Sequence, residues 1–139
     1  MIRRLPLLAL PLLLAACTTT PQNIPPETLY HARLDTAQGQ ALTFEQAVAR
    51  VADADIVLVG ELHTHPAIHL LQARLLAGLD EMSQADGRAL VLSMEQFSRA
   101  DQPVLDAYLA GRIGESALIR DGHAWPNYQS DYRPLVEFA

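Results

Sequence analysis

The sequence predicts an α/β domain, a parallel sheet built from βαβ units with flanking helices. Three observations carry that expectation. Two continuous apolar runs, "IVLVG" ending at Gly60 and "ALVLSM" ending before Glu95, have the composition of strands covered on both faces. The residues between them keep a helical period long enough for a crossover, and strand, helix, strand is the unit that is right-handed in nearly every case. A capping-box pattern just upstream opens a further helix.

Residues 1–16 read as an export signal: "MIRRL" supplies the positive start and "PLLALPLLLAA" an apolar stretch too short to span a membrane. Leu14-Ala15-Ala16-Cys17 matches a bacterial lipobox, which makes Cys17 the lipidated first residue of the mature chain. Acyl chains contribute about 0.8 kcal/mol per buried methylene, and several chains anchor stably. The expected mature protein is therefore tethered to a membrane but not embedded in it. Thr18 follows the cysteine rather than an aspartate, so the expected location is the outer membrane. Residues 17–28 are rich in Thr, Pro and Gln and suit a flexible tether, leaving 29–139 for the ordered domain.

Charge and cysteine usage exclude several classes. Cys17 is the only cysteine, so a disulfide, a thiolate metal ligand and a cysteine nucleophile are all unavailable to the lipidated chain. Loss of Arg3 and Arg4 with the signal moves the formal net charge from −6 to −8, and the chain has no lysine. Neither nucleic acid nor an anionic lipid face fits that balance.

Thr43 precedes "FEQAVARVADA" with Gln46 three positions on, which predicts a helix with Phe44, Val48 and Val51 on one face, broken at Asp53 to Asp55. The first strand, Ile56 to Gly60, follows. Pro66 suits the first position of the next helix with His65 as its cap, and Ile68, Leu71, Leu75 and Leu79 carry the period to about Gly78 or slightly beyond. Gly87 to Glu95 forms the second strand. "SRADQPVLDAYLAGRI" predicts a helix capped by Ser98 or Asp101, with Val104, Leu105, Tyr108 and Leu109 inward. "HAWPNYQSDYRP" reads as a loop concentrating Trp125, Tyr128 and Tyr132, as core cover or as lining for a flat ligand. "YRPLVEFA" opens an amphipathic helix without a C-cap signal, which suggests the N-terminal portion of a longer domain.

"VLVGELHTHPAIH" holds three of the five histidines. In parallel sheets ligands gather beyond the carboxyl ends of strands, so Glu61 and His63 after the first strand and Glu95 after the second are expected at one edge. Gly60 leaves room there for close approach of a ligand or backbone. His65 and His69 project from one side of the helix start, whose free amides favour an anionic group. Imidazole and carboxylate together suit zinc, iron or manganese, while the spacing lacks the zincin pattern.

The strings "VLVGELHTHPAIH", "LVLSMEQFSRADQPVLDAYLAG" and "YRPLVEFA", with the lipobox and tether in front, resemble the ChaN-like haem-binding lipoproteins, grouped with the Tiki and TraB proteins. Gly60 and His63 match the family's G-x-x-H, and Glu95 its glutamate after the next strand; a second G-x-x-H has no copy in this sequence. The resemblance implies an α/β domain at the outer membrane that binds haem for iron uptake. His63, His69, Tyr128 and Tyr132 are then candidate haem ligands or contacts, with propionates near Pro66. In the Tiki branch the same skeleton resembles a metal-dependent peptidase, with a divalent ion on His63 and Glu95 and Glu61 acting on a water. The expected partners are haem, the membrane through the Cys17 lipid, and a second copy as a candidate homodimer.

Overall fold

The computed structural model describes residues 28–139. The expected signal peptide, the Cys17 lipidation site and the tether as far as residue 27 lie outside the described residues. The first regular element is a short antiparallel hairpin of β1 (Leu34–Asp35) and β2 (Ala41–Leu42), in register Leu34 to Leu42 and Asp35 to Ala41. Thr43 then caps α1 (Phe44–Val51) with both halves of the expected box: the Gln46 amide donates to Thr43 Oγ1 at 3.2 Å, and the Thr43 amide to Gln46 Oε1 at 2.9 Å.

Helix α2 (Pro66–Ala85) starts where expected, with His65 at the cap position and proline in the first turn, but passes well beyond Gly78. The reason is packing. A Cβ at Gly78 would lie 2.9 Å from Val48 Cγ2, so the glycine is the notch in which α1 rests and not a stop. The stop comes at Gly87, whose φ of +68° an L side chain resists. The Gly87 amide donates to Gln84 O and the Arg88 amide to Ser83 O, so the carbonyls of the last turn are satisfied. Gly111 (φ +68°) closes α3 (Gln102–Leu109) the same way, through Gly111 to Tyr108 O and Arg112 to Ala107 O. A 3₁₀ turn at Arg99–Asp101 leads into α3, and α4 (Glu115–Asp121) follows it.

Residues 123–134 are not the expected loop. Tyr128–Tyr132 form a π-helical turn that runs into α5 (Arg133–Phe138). Pro134 has no N–H to return to the carbonyl four residues back, and the wider turn immediately precedes it. Both tyrosines thereby face inward. They join Leu118, Leu135 and Val136 in the buried core, against which Leu76 of α2, Val104 and Leu105 of α3 and Trp125 pack.

The expected parallel sheet of βαβ units is not found among the described residues. About half of the described residues are helical, and the only sheet among the described residues is the β1–β2 hairpin. Ile56–Gly60 and Ala89–Met94 carry no ladder; both segments instead line one cleft of about 1190 Å³, together with Leu75, Leu76 and Leu79 of α2. A helix closes its backbone bonds within itself, whereas a strand needs a neighbouring edge, and composition does not say which edge that is. Ile56, Leu58 and Val91 stay more than three-quarters exposed as a result.

Candidate functional site

The two sequence-expected strand ends do meet, at the mouth of this cleft. Glu61, His63 and Glu95 each offer an atom within 4.8 Å of the others, although the strands that were to bring them together are unpaired. The organising group is the Glu61 carboxylate. Its Oε1 accepts from Tyr132 Oη at 2.8 Å and from Gln96 Nε2 at 3.0 Å, and it lies 2.6 Å from His63 Nδ1; its Oε2 accepts from Gln72 Nε2 at 2.7 Å. Burial by itself would raise the Glu61 pKa, but hydrogen bonds from Gln72, His63 and Tyr132, with the nearby His69 ring, outweigh it and hold the carboxyl below its ordinary value.

His63 is half exposed, and its ring meets the Trp125 indole edge to face at 5.2 Å. With Nδ1 on Glu61, its Nε2 faces outward, 3.8 Å from Glu95 Oε1. Glu95 is the most open member of the group and touches it only there.

His69 sits elsewhere in the scheme. It is buried one turn inside α2, with Nδ1 3.2 Å from Gln72 Oε1 and Nε2 3.1 Å from the His63 carbonyl. Its ring also lies 3.7 Å from Glu61 Oε2 and 3.6 Å from Asp131 Oδ2. Both nitrogens are engaged, so His69 braces the loop that carries His63. Asn127 Nδ2 holds the same His63 carbonyl at 2.9 Å and Asp131 Oδ2 at 2.6 Å. His65 is exposed at the helix cap and makes no side-chain capping bond.

The tyrosines are both interior. Tyr132 is fully buried and its hydroxyl serves Glu61; burial, then the Glu61 hydrogen bond, push that hydroxyl above its ordinary pKa. Tyr128 is equally buried with no partner for its hydroxyl, and burial pushes it up as well. A Cβ at Gly60 would meet no protein atom within 4 Å, so no neighbouring backbone makes the close approach expected there. His31 stands apart from the group, and His123 closes α4 in a left-handed conformation, 2.9 Å from Asp101.

Sequence reading missed Gln72, Gln96, Asn127 and Asp131. Gln72 is three residues after His69 and shares its helix face, and Gln96 adjoins Glu95, so a search for donors to a buried carboxylate had a signal to follow. Asn127 and Asp131 come from the segment read as a loop.

The family described as haem-binding uptake, Tiki superfamily, ChaN matches residues 47–139. The chain belongs to this family. No curated protein and no solved structure matches it. Within the ChaN match fall Glu61, His63, His69, Glu95 and Tyr132, the residues around which the site is built; the β1–β2 hairpin precedes it.

Proposed function

We propose that this chain binds haem at the cleft beside His63, as a lipid-anchored outer-membrane protein serving iron uptake. One observation carries the reading. His63 stands at the mouth of a largely aliphatic cleft with its ring half exposed and one nitrogen uncommitted, while both buried tyrosines are turned away from solvent. A cleft of about 1190 Å³ exceeds the roughly 300–1,000 Å³ of ordinary small-molecule pockets, so a macrocycle fits its size. Leu90, Leu92 and Met94 offer apolar surface to the ring. Bound haem would supply an iron, and the open Nε2 of His63 is the imidazole nitrogen that could reach it. Membership of the ChaN family supports haem as the ligand, and the lipobox at Cys17 supports the anchor.

Titration of the purified protein with haemin tests this: a saturable Soret shift is expected, and its absence would remove the reading. A second reading, a metal-dependent hydrolase with a divalent ion on His63 and Glu95, draws on the proximity of Glu61, His63 and Glu95. It expects stoichiometric metal and peptide hydrolysis lost to a chelator. Glu61 already accepts from four groups, which leaves it poorly disposed to take a proton from water.

A further inference from the structure

We infer that Glu61 is a closed structural acceptor, and that Tyr132, Gln96 and Gln72 are the residues that keep a divalent ion out of the Glu61, His63 and Glu95 group. This goes beyond the haem reading and does not depend on it. Proximity alone favours an ion there, since each of the three side chains offers an atom within 4.8 Å of the others. What decides is which lone pairs are free. A carboxylate has two oxygens and about four lone-pair sites in all. Glu61 Oε1 accepts from Tyr132 Oη at 2.8 Å, from Gln96 Nε2 at 3.0 Å and from His63 Nδ1 at 2.6 Å, and Oε2 accepts from Gln72 Nε2 at 2.7 Å. The acceptor capacity of Glu61 is used up within the protein.

Each of those contacts turns a hydrogen toward the carboxylate, so a cation at a ligand distance of about 2.0–2.2 Å would meet the positive ends of N–H and O–H dipoles. His63 is committed on the same side: an ionised carboxylate only accepts, so Nδ1 carries the proton and cannot ligate while that bond stands. His63 Nε2 and the Glu95 carboxylate are left, 3.8 Å apart. Two ligands fall short of the three that a catalytic zinc takes from its protein. Nor can Glu61 turn outward to supply the third. Gln72 holds it from α2, Gln96 from the end of the second apolar segment and Tyr132 from the π turn, and its side chain is only 9% exposed. The residues as folded do not fit a divalent ion, and Tyr132 and Gln96, which both donate to the oxygen that meets His63, determine this.

Equilibrium dialysis of the full chain against zinc, and separately against manganese, tests this, with retained metal counted by mass spectrometry. The wild type should retain no ion on the group; one ion per chain that is lost in Glu61→Ala would overturn the inference. Zinc that survives Glu61→Ala is bound elsewhere on the chain and agrees with it. The double variant Gln96→Met with Tyr132→Phe fills the same space without donating to Oε1, while Gln72 still holds Oε2. It should gain one zinc per chain and lose it again when His63→Ala is added. A folded double variant that gains none would overturn the excluding role of the two residues. Should the double variant fail to fold, Tyr132→Phe alone opens one site on Oε1 and should retain more zinc than the wild type, equal retention counting against the inference. Haemin uptake is read in none of these arms, so failure of the haem reading leaves their result standing.

Discussion

Leu118, Tyr128, Tyr132, Leu135 and Val136 are each no more than 6% exposed, whereas Ile56, Leu58 and Val91 are 78–90% exposed, although both sets come from apolar stretches of one small domain. The first set lies on α4, the π turn and α5, elements that satisfy their own backbone before they pack. The second set lies on segments whose N–H and C=O groups find no ladder, so their side chains have no sheet to stand on. Burial here follows from how the backbone is satisfied, not from hydrophobicity. The site occupies the junction of the two regions: Glu61, His63 and Glu95 come from the ends of the open segments, while His69, Gln72, Asn127 and Tyr132 come from helical elements that hold them.

Truncation in the packed region should have the largest effect. Leu118 is fully buried, and Leu118→Ala is expected to cost about 2–5 kcal/mol through lost burial and a cavity, read as a lower denaturation midpoint in urea. A loss under about 1 kcal/mol would mean that the core collapses around the gap, as a loosely packed region does.

Tyr132→Phe probes the join between the regions. It removes a hydrogen bond to a charged carboxylate, expected to cost roughly 1.5–3 kcal/mol near neutral pH. The pH response has a definite sign. Because the folded Glu61 pKa is depressed, its contribution is present above the unfolded value of about 4.3 and disappears as pH falls through the folded value. With one donor gone the folded pKa rises toward 4.3, so less of that stability exists to lose, and the acid limb of the stability curve should flatten relative to wild type. Equal acid limbs in chemical denaturation at pH 3 to 7 would show that Tyr132 does not act through Glu61.

Gly78→Ala sets helix propensity against packing. Alanine gains up to about 1 kcal/mol in a helix interior, but its Cβ would stand 2.9 Å from Val48 Cγ2, and overpacking costs about 1–3 kcal/mol. A net loss of about 1 kcal/mol is expected in thermal unfolding, while a gain would mean that α1 moves freely over α2. The smallest effect belongs to the open segment. Leu58→Ser should change stability by less than about 0.5 kcal/mol, since the side chain is 90% exposed. A loss comparable with Leu118→Ala would show that the segment is covered in solution and would break the contrast.

The same contrast explains what could be read from the sequence. The Thr43 box, the proline start of α2 and the starts of α3 and α5 depend on residues within a few positions of each other and are present as expected; on α3, Val104, Leu105 and Tyr108 pack inward, but Leu109, expected with them, ends the helix exposed. The apolar character of residues 56–60 and 89–94 was equally visible, but strand pairing is a relation between distant segments, and the expected parallel sheet did not follow. The end of α2 was placed too early because the apolar period thins after Leu79, while the helix continues to Ala85 and Gly78 lies inside it against Val48 of α1. In the site, Glu61, His63 and Glu95 were legible as polar residues just after apolar runs. The roles of Asn127 and Asp131 were not, because they act on the His63 carbonyl and the His69 ring, which the fold alone brings near.

The histidine cluster holds the central claim, that one imidazole is presented, one braces and one only occupies a helix cap. Isothermal titration of haemin into His63→Ala, His69→Ala and His65→Ser, each beside wild type, tests it most directly. His63→Ala should abolish saturable binding, because Nε2 is the open nitrogen at the cleft mouth. His69→Ala should weaken it by loosening the loop at the His63 carbonyl. His65→Ser should leave it intact, with serine supplying the cap bond that histidine does not make. Small and equal losses at all three positions would contradict the account, making the cluster a solvated loop and moving the ligand site elsewhere.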